Sequence, residues 1–405
     1  MKTSSSRFLT THVGSMPRSE AVCNALLEKE HGKVTDAGAF DALMKESVRE
    51  VVALQASIGI DVVSDGETSK VGYATYIKDR NTGFGDDFTP KPHRDLADHP
   101  DYRELLGKTR GPQLFRRTCC VGEIAPKNDG ALQTDIANLE SAVEGIEVTE
   151  AFMNAASPGV VSAFQPNRYY DSDEKYLNAI AKVMRTEYQA IVEAGFLLQV
   201  DCPDIAMSRH TAFQDLEEKA FLERAELHVE VLNRALDGIS PDRVRAHICW
   251  GNYEGPHDFD IALEKIISNV LAIDARAISF EAANPRHEHE WTVWRDRARD
   301  SDKIFMPGVL DTSTNYVEHP ELVAQRIERF ANLMGPERVI ASTDCGFGTF
   351  IGSVAVARTV AYKKLASLVE GARIASHRMF GAGLAEGRET PAIRAANADR
   401  GGAQR

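Results

Sequence analysis

Short runs of apolar and β-branched residues recur along this 405-residue chain, and longer amphipathic stretches separate them. The runs end in small, polar or charged residues, which is typical of the strands in repeated βα units. Eight strands are predicted, at residues 8–13, 61–64, 159–163, 197–200, 244–249, 277–280, 304–309 and 339–342. Eight strands with helical crossovers favour an α/β fold of the (β/α)8 TIM-barrel type over an open doubly wound sheet.

Helical patterns lie between these runs, at residues 41–58, 174–194, 215–236, 260–273, 320–334 and 354–368. Two regions depart from the alternation. Residues 73–150 are polar, hold turn-forming residues and include a strand-like run at 113–121, so we expect an insertion between the second and third barrel strands, with a small antiparallel sheet. Residues 386–405 lack hydrophobic periodicity and are predicted to be a mobile tail. The sequence therefore predicts one barrel domain over residues 1–385, with an insertion at 73–150.

The net charge of -13 argues against nucleic acid or an anionic membrane as the main partner, because both favour clustered basic residues. The first 18 residues lack an apolar signal region, and no apolar run reaches the roughly 18–20 residues of a membrane span. The six cysteines are scattered without a disulfide framework, so reduced thiols are expected. We therefore expect a cytoplasmic protein that acts on small molecules, with its oligomeric state left open.

The run His247-Ile248-Cys249 is the sharpest chemical signal. Residues two apart on a strand point the same way, so both side chains should face the barrel interior near the carboxyl end of the strand. Glu281 ends the next predicted strand, and Cys345 follows the last one. A lone His-x-Cys pair is more often part of a core than a metal site, but convergence at the catalytic face of a barrel favours Zn²⁺.

Acidic and turn residues follow other predicted strands. Glu67 and Asp201 end the second and fourth strands and would face the same mouth, although helix capping or solvation would equally explain two such carboxylates. After the first strand, Gly14 would let a ligand approach the backbone, and Arg18 could pair with an anion or form a surface salt bridge.

At these residues the sequence resembles the catalytic barrel of cobalamin-independent methionine synthase and the related epoxyalkane:coenzyme M transferases, over about residues 10–379. The resemblance implies that four residues hold zinc: His247, Cys249, Glu281 and Cys345. It also implies that Glu67 and Asp201 bind homocysteine, and that the turn from Gly14 through Ser15 to Pro17 holds the carboxylate of an amino acid. A zinc-bound thiol loses its proton and stays nucleophilic, so the implied activity is methyl or alkyl transfer to sulfur.

The chain departs from the methionine synthase pattern in three ways. Ser313 stands where the family has a loop histidine thought to assist proton delivery, so Ser313 is the third catalytic candidate. Phe164 replaces the tryptophan expected beside the folate ring, and the N-terminal half of the long methionine synthases has no counterpart. We therefore expect a methyl donor that is smaller or more reactive than methyltetrahydrofolate.

Three functions remain open on the sequence. The first is methyl transfer to homocysteine, for which Glu67 and Asp201 would bind the ammonium group. The second is addition of coenzyme M to an epoxide, which would need cations for the sulfonate, with Arg18, Lys70 and Arg286 as candidates. The third is a metal-dependent binding protein or sensor without turnover.

Overall fold

The computed structural model describes residues 1–110, 116–127, 130–352 and 355–381. The described strands are β1 (Leu9–Thr10), β2 (Val62–Ser64), β3 (Phe84–Asp87), β4 (Thr118–Cys120), β5 (Glu150–Ala156), β6 (Leu197–Asp201), β7 (Val244–Ile248), β8 (Ala277–Phe280), β9 (Ile304–Pro307) and β10 (Ile340–Ala341). The described helices are α1 (Glu20–Glu30), α2 (Ala37–Ile58), α3 (Ile77–Arg80), α4 (Arg94–Ala97), α5 (Pro100–Arg110), α6 (Ala131–Val143), α7 (Pro158–Phe164), α8 (Asp173–Glu193), α9 (Glu218–Leu236), α10 (Leu263–Leu271), α11 (Trp291–Arg297), α12 (Pro320–Met334) and α13 (Arg358–Phe380).

Parallel pairing closes the strands into a barrel. One sheet has the order β2-β5-β6-β7-β8-β9, and β1 pairs with β10. Parallel bridges from Phe305 to Val339 and from Gly308 to Ser342 join β9 to the β10 region. The backbone N–H of Asp61 donates to the carbonyl of Thr10 at 3.2 Å, which links β1 to β2. The predicted (β/α)8 TIM barrel is confirmed.

The third barrel strand is not where the sequence placed it. That strand is β5 (Glu150–Ala156), whereas the predicted strand at 159–163 lies within α7. Ser157 caps α7 by accepting a hydrogen bond from the backbone N–H of Val160 at 3.0 Å, and Pro158 occupies the first turn. Both are signals that begin a helix, so the prediction at 159–163 was wrong. The other seven predicted strands overlap observed ones.

An insertion separates β2 from β5, as the sequence predicted. We call residues 73–149 the excursion. Within it, β3 and β4 pair as an antiparallel sheet, with Phe84 opposite Cys120. The short helix α4 brings the excursion back to the barrel, where the backbone N–H of Arg94 donates to the carbonyl of His210 at 2.9 Å. The excursion thus lies beside the loops at the carboxyl ends of the strands.

The barrel centre holds a buried arginine. The guanidinium of Arg245, on β7, donates to the Thr11 hydroxyl at 2.9 Å and to the His12 carbonyl at 2.8 Å, and lies 4.0 Å from the centre of the Phe152 ring. These contacts tie β7 to the loop after β1 from inside the barrel. Among the described residues, no helix has the length and apolar character needed to cross a membrane. The predicted tail at 386–405 lies outside the described residues.

Candidate metal and substrate site

Three predicted metal ligands come together at the carboxyl end of the barrel. His247 lies near the end of β7, Cys249 directly follows that strand, and Cys345 follows β10. One imidazole nitrogen and the two sulfur atoms all lie within 4.8 Å of one another, and all three residues are buried. Alternation along the strand turns the His247 and Cys249 side chains to the same side, which is why two residues in such a short run can share one site.

Glu281 lies at the edge of this group. It follows β8, and its Oε1 atom is 3.6 Å from Cys345 Sγ. The backbone N–H of Trp250 donates to Oε1 at 2.8 Å, and the Asn284 amide donates to Oε2 at 2.5 Å. These two hydrogen bonds fix the carboxylate beside the sulfur atoms, so Glu281 is in place to be a fourth ligand.

The donor set fits a zinc ion. His247 Nδ1 is buried without a hydrogen-bond partner, which costs about 1–3 kcal/mol unless a ligand takes up its lone pair. Burial lowers the pKa of His247 to about 3, so its ring is neutral and able to bind metal at pH 7. One imidazole, two thiols and a carboxylate are ligands that zinc accepts in a tetrahedral site.

Asp344 holds the loop that carries Glu281. Its Oδ1 atom accepts the backbone N–H groups of Ala282 and Ala283 at 2.8 and 2.9 Å, and its Oδ2 atom accepts that of Asn284 at 2.9 Å. Asp344 immediately precedes Cys345, so one short segment after β10 carries a predicted sulfur ligand and also holds the loop of Glu281, which follows β8.

Glu67 occupies a constrained position in the loop after β2. Its backbone has a φ of 52°, which is unusual for a residue with a side chain and indicates a conformation imposed by its surroundings. The Asp65 side chain accepts the Glu67 backbone N–H at 2.9 Å, and the Arg18 guanidinium donates to the Glu67 carbonyl at 2.7 Å. Burial raises the pKa of Glu67 to about 7; Lys70 opposes this shift and Asp201 adds to it.

Arg18 is engaged with the protein itself. Besides Glu67, its guanidinium donates to the backbone carbonyls of Lys70 at 2.8 Å and Gly348 at 2.5 Å. Arg18 therefore ties the loop after β2 to the loop after β10. This geometry favours a positioning role for Arg18 over the anion-binding role that the sequence suggested.

Asp201, at the end of β6, is held by two amide side chains. Its Oδ2 atom accepts from the Asn154 amide at 3.0 Å, and its Oδ1 atom accepts from the Gln199 amide at 2.8 Å. Burial raises the pKa of Asp201 to about 6, although both hydrogen bonds oppose the shift. The amide oxygens of Asn154 and Gln199 and the Oε1 atom of Glu67 are buried acceptors without a hydrogen-bond partner. The region therefore has hydrogen-bond acceptors without donors, and it suits a ligand that carries a hydrogen-bond donor such as an ammonium group.

The turn after β1 packs tightly against this region. Gly14 has a φ of 139°, and a Cβ atom there would overlap the Asn154 amide. Gly14 thus makes room for a protein side chain, whereas the sequence suggested that it makes room for a ligand. Ser15 lies on the cavity wall and touches Gly346, where a Cβ atom would overlap the Ser15 hydroxyl.

One cavity of about 370 Å³ joins the two groups. Its wall includes Glu67 and Asp201 as well as His247, Cys249 and Cys345. Aromatic residues form much of the remaining wall: Tyr73, Phe88, Phe164, Phe213, Tyr253, Phe347 and Phe350. A small molecule bound here would therefore meet the two acids, the metal ligands and an apolar surface at the same time.

Ser313 is not on this wall. Its hydroxyl donates to Asp311 Oδ1 at 2.8 Å, and its backbone N–H donates to the same atom at 2.9 Å. Lys70 also points elsewhere: its ammonium donates to the Asn154 carbonyl at 2.6 Å and lies 4.0 Å from Glu67 Oε1. Arg286 is exposed. The structure therefore does not bring Ser313, Lys70 or Arg286 to the cavity wall.

Sequence reasoning missed several residues that shape the site. Asn154 was missed because the third strand was misplaced, although a polar residue near the end of a correctly placed β5 would have drawn attention to it. Asp344 was missed because the sequence gives no indication that its carboxylate reaches the backbone of the Glu281 loop. The place of Tyr73 and Phe350 on the cavity wall could not be predicted, because isolated aromatic residues in loops are common in any globular chain.

The model of the family described as "Cobalamin-independent synthase, Catalytic domain" matches residues 8–84 and 158–372. The chain belongs to this family. The segment between the matches, 85–157, includes most of the excursion and β5. The matched residues include both acids, Glu67 and Asp201, and the predicted metal ligands His247, Cys249, Glu281 and Cys345.

Similar proteins agree with this assignment. A methionine synthase from Saccharolobus islandicus is 24% identical over 369 residues, covering 90% of this chain and 94% of that protein. A methionine synthase from Sulfolobus acidocaldarius is also 24% identical, over 371 residues. The structure of a B12-independent methionine synthase from Shewanella sp. W3-18-1, in complex with selenomethionine, has a TM-score of 0.69 at 20% identity and covers 92% of this chain and 99% of that one. At this level of identity, the similarity to the Shewanella structure shows a shared fold.

We predict that Asp344→Ala lowers metal affinity about 10–100-fold, because the Glu281 loop loses the carboxylate that fixes its three N–H groups. Competition with a chromophoric chelator measures the change. Ser342→Ala is the matched control, since that buried hydroxyl has no hydrogen-bond partner. Equal metal affinity in Asp344→Ala and wild type would contradict the positioning role.

Proposed function

We propose that this protein is a zinc-dependent S-methyltransferase of the methionine synthase type, which acts on homocysteine or a closely similar amino-acid thiol. One observation carries the proposal: the acids Glu67 and Asp201 line the same cavity as His247, Cys249 and Cys345. The cavity therefore offers a subsite for an ammonium group and a separate one for sulfur. Glu281 completes the proposed ligand set.

Each group has a distinct role in this proposal. Zinc, when bound, would lower the pKa of the substrate thiol and keep its sulfur nucleophilic. Glu67 and Asp201 bind the ammonium group, and the unpartnered Asn154 oxygen accepts one of its protons. Ser15 faces the carboxylate from the turn after β1. The aromatic wall excludes water from the side on which the methyl donor must approach.

The charges of the cavity support an amino-acid thiol over a sulfonate thiol such as coenzyme M. Arg18 donates to backbone carbonyls, and Lys70 is bound to Asn154 and close to Glu67. Two cations do line the cavity, but Lys91 pairs with Asp215 and Arg117 lies over the Phe164 ring. The carboxylates of the two buried acids, when ionised, would repel a negatively charged sulfonate. The epoxide reaction is therefore the less favoured alternative.

The relatives support the same substrate. The archaeal relatives are named methionine synthases, and the chain covers almost their whole length. The similar Shewanella structure holds selenomethionine, which is an amino acid with a methylated selenium in place of sulfur. All six cysteines of this chain are free, which agrees with the reducing, cytoplasmic location that we propose.

For the donor, we propose an electrophile that is smaller or more reactive than methyltetrahydrofolate. Ser313, in place of the family's loop histidine, donates to Asp311 and lies off the cavity wall. Phe164 does lie on the wall, but the Arg117 guanidinium sits 4.6 Å from the centre of its ring. That contact covers one face of the only side chain that the sequence offered in place of the stacking tryptophan.

A thiol panel on the cobalt-substituted protein tests the substrate. We expect homocysteine, and not coenzyme M, to change the cobalt absorption spectrum at low concentration. Asp201→Asn and Glu67→Gln should each weaken the binding of homocysteine by about 2–4 kcal/mol, which is the scale for removing one partner of a buried ion pair. If both variants bind homocysteine as wild type does but melt at lower temperature, the acids are structural and the proposal fails.

We also predict that methionine binds more tightly as pH rises from about 5.5 to 7. A bound ammonium favours ionised acids, so binding releases the protons that Glu67 and Asp201 hold below their raised pKa values of about 7 and about 6. Methionine has no thiol to titrate, so calorimetry isolates the acids. The rise should flatten above about pH 7 and should be smaller in Glu67→Gln. A pH-independent affinity in wild type would contradict this assignment.

Steady-state kinetics with single donors tests the donor. We expect a methylated sulfonium or corrinoid donor to give a higher kcat/KM than the mono- or triglutamate of methyltetrahydrofolate, because a missing general acid costs about 10²–10⁴ in rate. An epoxide with coenzyme M is the comparison for the alternative reaction. The highest kcat/KM with the folate triglutamate would overturn the donor proposal while leaving the thiol proposal intact.

A further inference from the structure

A second cluster of ligand atoms lies where the excursion meets the barrel. His93 and Asp95 belong to the excursion, immediately before and within α4, and His210 lies in the loop after β6. One ring nitrogen of each histidine and one Asp95 oxygen lie within 4.8 Å of one another. We call these three residues the junction cluster.

Each residue of the junction cluster has a buried side-chain atom without a hydrogen-bond partner. His93 Nδ1, Asp95 Oδ1 and His210 Nε2 are all buried without a hydrogen bond. Asp95 and His210 are both 0% exposed, so water cannot readily serve as their partner. A buried polar atom without a partner destabilises the fold unless a ligand satisfies it. Because the three residues also bring ligand atoms within 4.8 Å of one another, these unpartnered atoms point to a shared ligand.

A neighbouring group shows the contrast. His257, Asp260 and His287 also lie close together, but their ring nitrogens are partnered. His287 contacts Asp260 at 2.8 Å and Glu290 at 2.9 Å, and His257 contacts Asp260 at 2.9 Å. Both ring nitrogens of His257 and of His287 are hydrogen-bonded, whereas the junction cluster contains ring nitrogens without a partner.

Asp260 also orients His210. Its Oδ1 atom lies 2.9 Å from His210 Nδ1, close enough for a charge-assisted hydrogen bond after a small rotation of the ring. A metal-binding histidine commonly donates its second ring N–H to a carboxylate, which fixes the ring and makes the other nitrogen a better ligand. In His210 that other nitrogen is the unpartnered Nε2.

His93 and Asp95 also have atoms available to bind a metal. Burial, with a smaller contribution from His210, lowers the pKa of His93 to about 4, so its ring is neutral at pH 7. The Tyr253 hydroxyl and the backbone N–H of His257 both donate to Asp95 Oδ2, which leaves Oδ1 for another partner. Neutral imidazoles and a carboxylate are ligands for Zn²⁺ and related divalent metals.

We propose that His93, Asp95 and His210 form a second divalent metal site, suited to Zn²⁺, which fastens the excursion to the barrel. His93 and Tyr253 both line the catalytic cavity, so the site would hold one wall of that cavity in place. The site shares no residue with the proposed sulfur-containing one, and His93 and Asp95 lie in the segment 85–157, which the family model does not match.

Zinc content of the full-length protein tests the proposal. We expect two equivalents in wild type, one in the double variant Cys249→Ser/Cys345→Ser, and almost none when His93→Ala is added to it. In the double variant, Asp95→Asn should lower the affinity for the one zinc that remains bound. His99→Ala is the control from the same segment, because its side chain is 43% exposed and paired with Asp258.

Two further measurements guard against misfolding and identify the ligands. In the cysteine double variant, zinc should raise Tm, and His93→Ala should abolish that rise. Cobalt in the second site should give weak visible bands without the sulfur-to-cobalt absorption of a thiolate site. No zinc in the double variant, or unchanged zinc after adding His93→Ala, would overturn the second site. Equal zinc in wild type and the double variant would instead count against the cysteine ligands, and His93→Ala would still decide the second site.

Discussion

The site depends on the register between neighbouring parallel strands. Asp201 on β6 pairs with His247 on β7, and His247 pairs with Ser279 on β8. This register brings an acid, an imidazole and the start of the Glu281 loop to one level of the barrel. A slip of β7 by one residue would turn His247 and Cys249 together to the other face of the sheet and separate both from Cys345. Strand pairing therefore decides which side chains reach the cavity, and the loops then adjust the orientation of those side chains.

Much of this arrangement could be predicted from the sequence, because it follows from short-range rules. The period of two along a strand brings His247 and Cys249 together, and the common direction of barrel strands brings in Glu281 and Cys345. The error at the third strand has an equally local cause. The Val160-Val161 pair resembles a strand, but Ser157 and Pro158 before it begin a helix, and β5 is poor in β-branched residues.

What could not be predicted depends on contacts between distant parts of the chain. The sequence could not show that Arg18 donates to backbone carbonyls in two other loops, or that Asn154 fills the space beside Gly14. The same holds for the junction cluster, because nothing near His93 indicates that His210 lies next to it. Residue types and spacing predict which groups reach the rim, whereas only packing decides which of their atoms remain unpartnered.

The pairing of β1 with β10 has a consequence for how the protein is made. Leu9 pairs with Ile340, so the barrel closes only after nearly the whole chain has left the ribosome. Such a distant pairing carries a large loop-closure entropy and is expected late in folding. Ser15 and Gly346 lie after these two strands and come into contact only when the barrel closes. In a growing or truncated chain Cys345 is therefore not yet beside His247 and Cys249, and the proposed metal site is assembled in the same step that completes the fold.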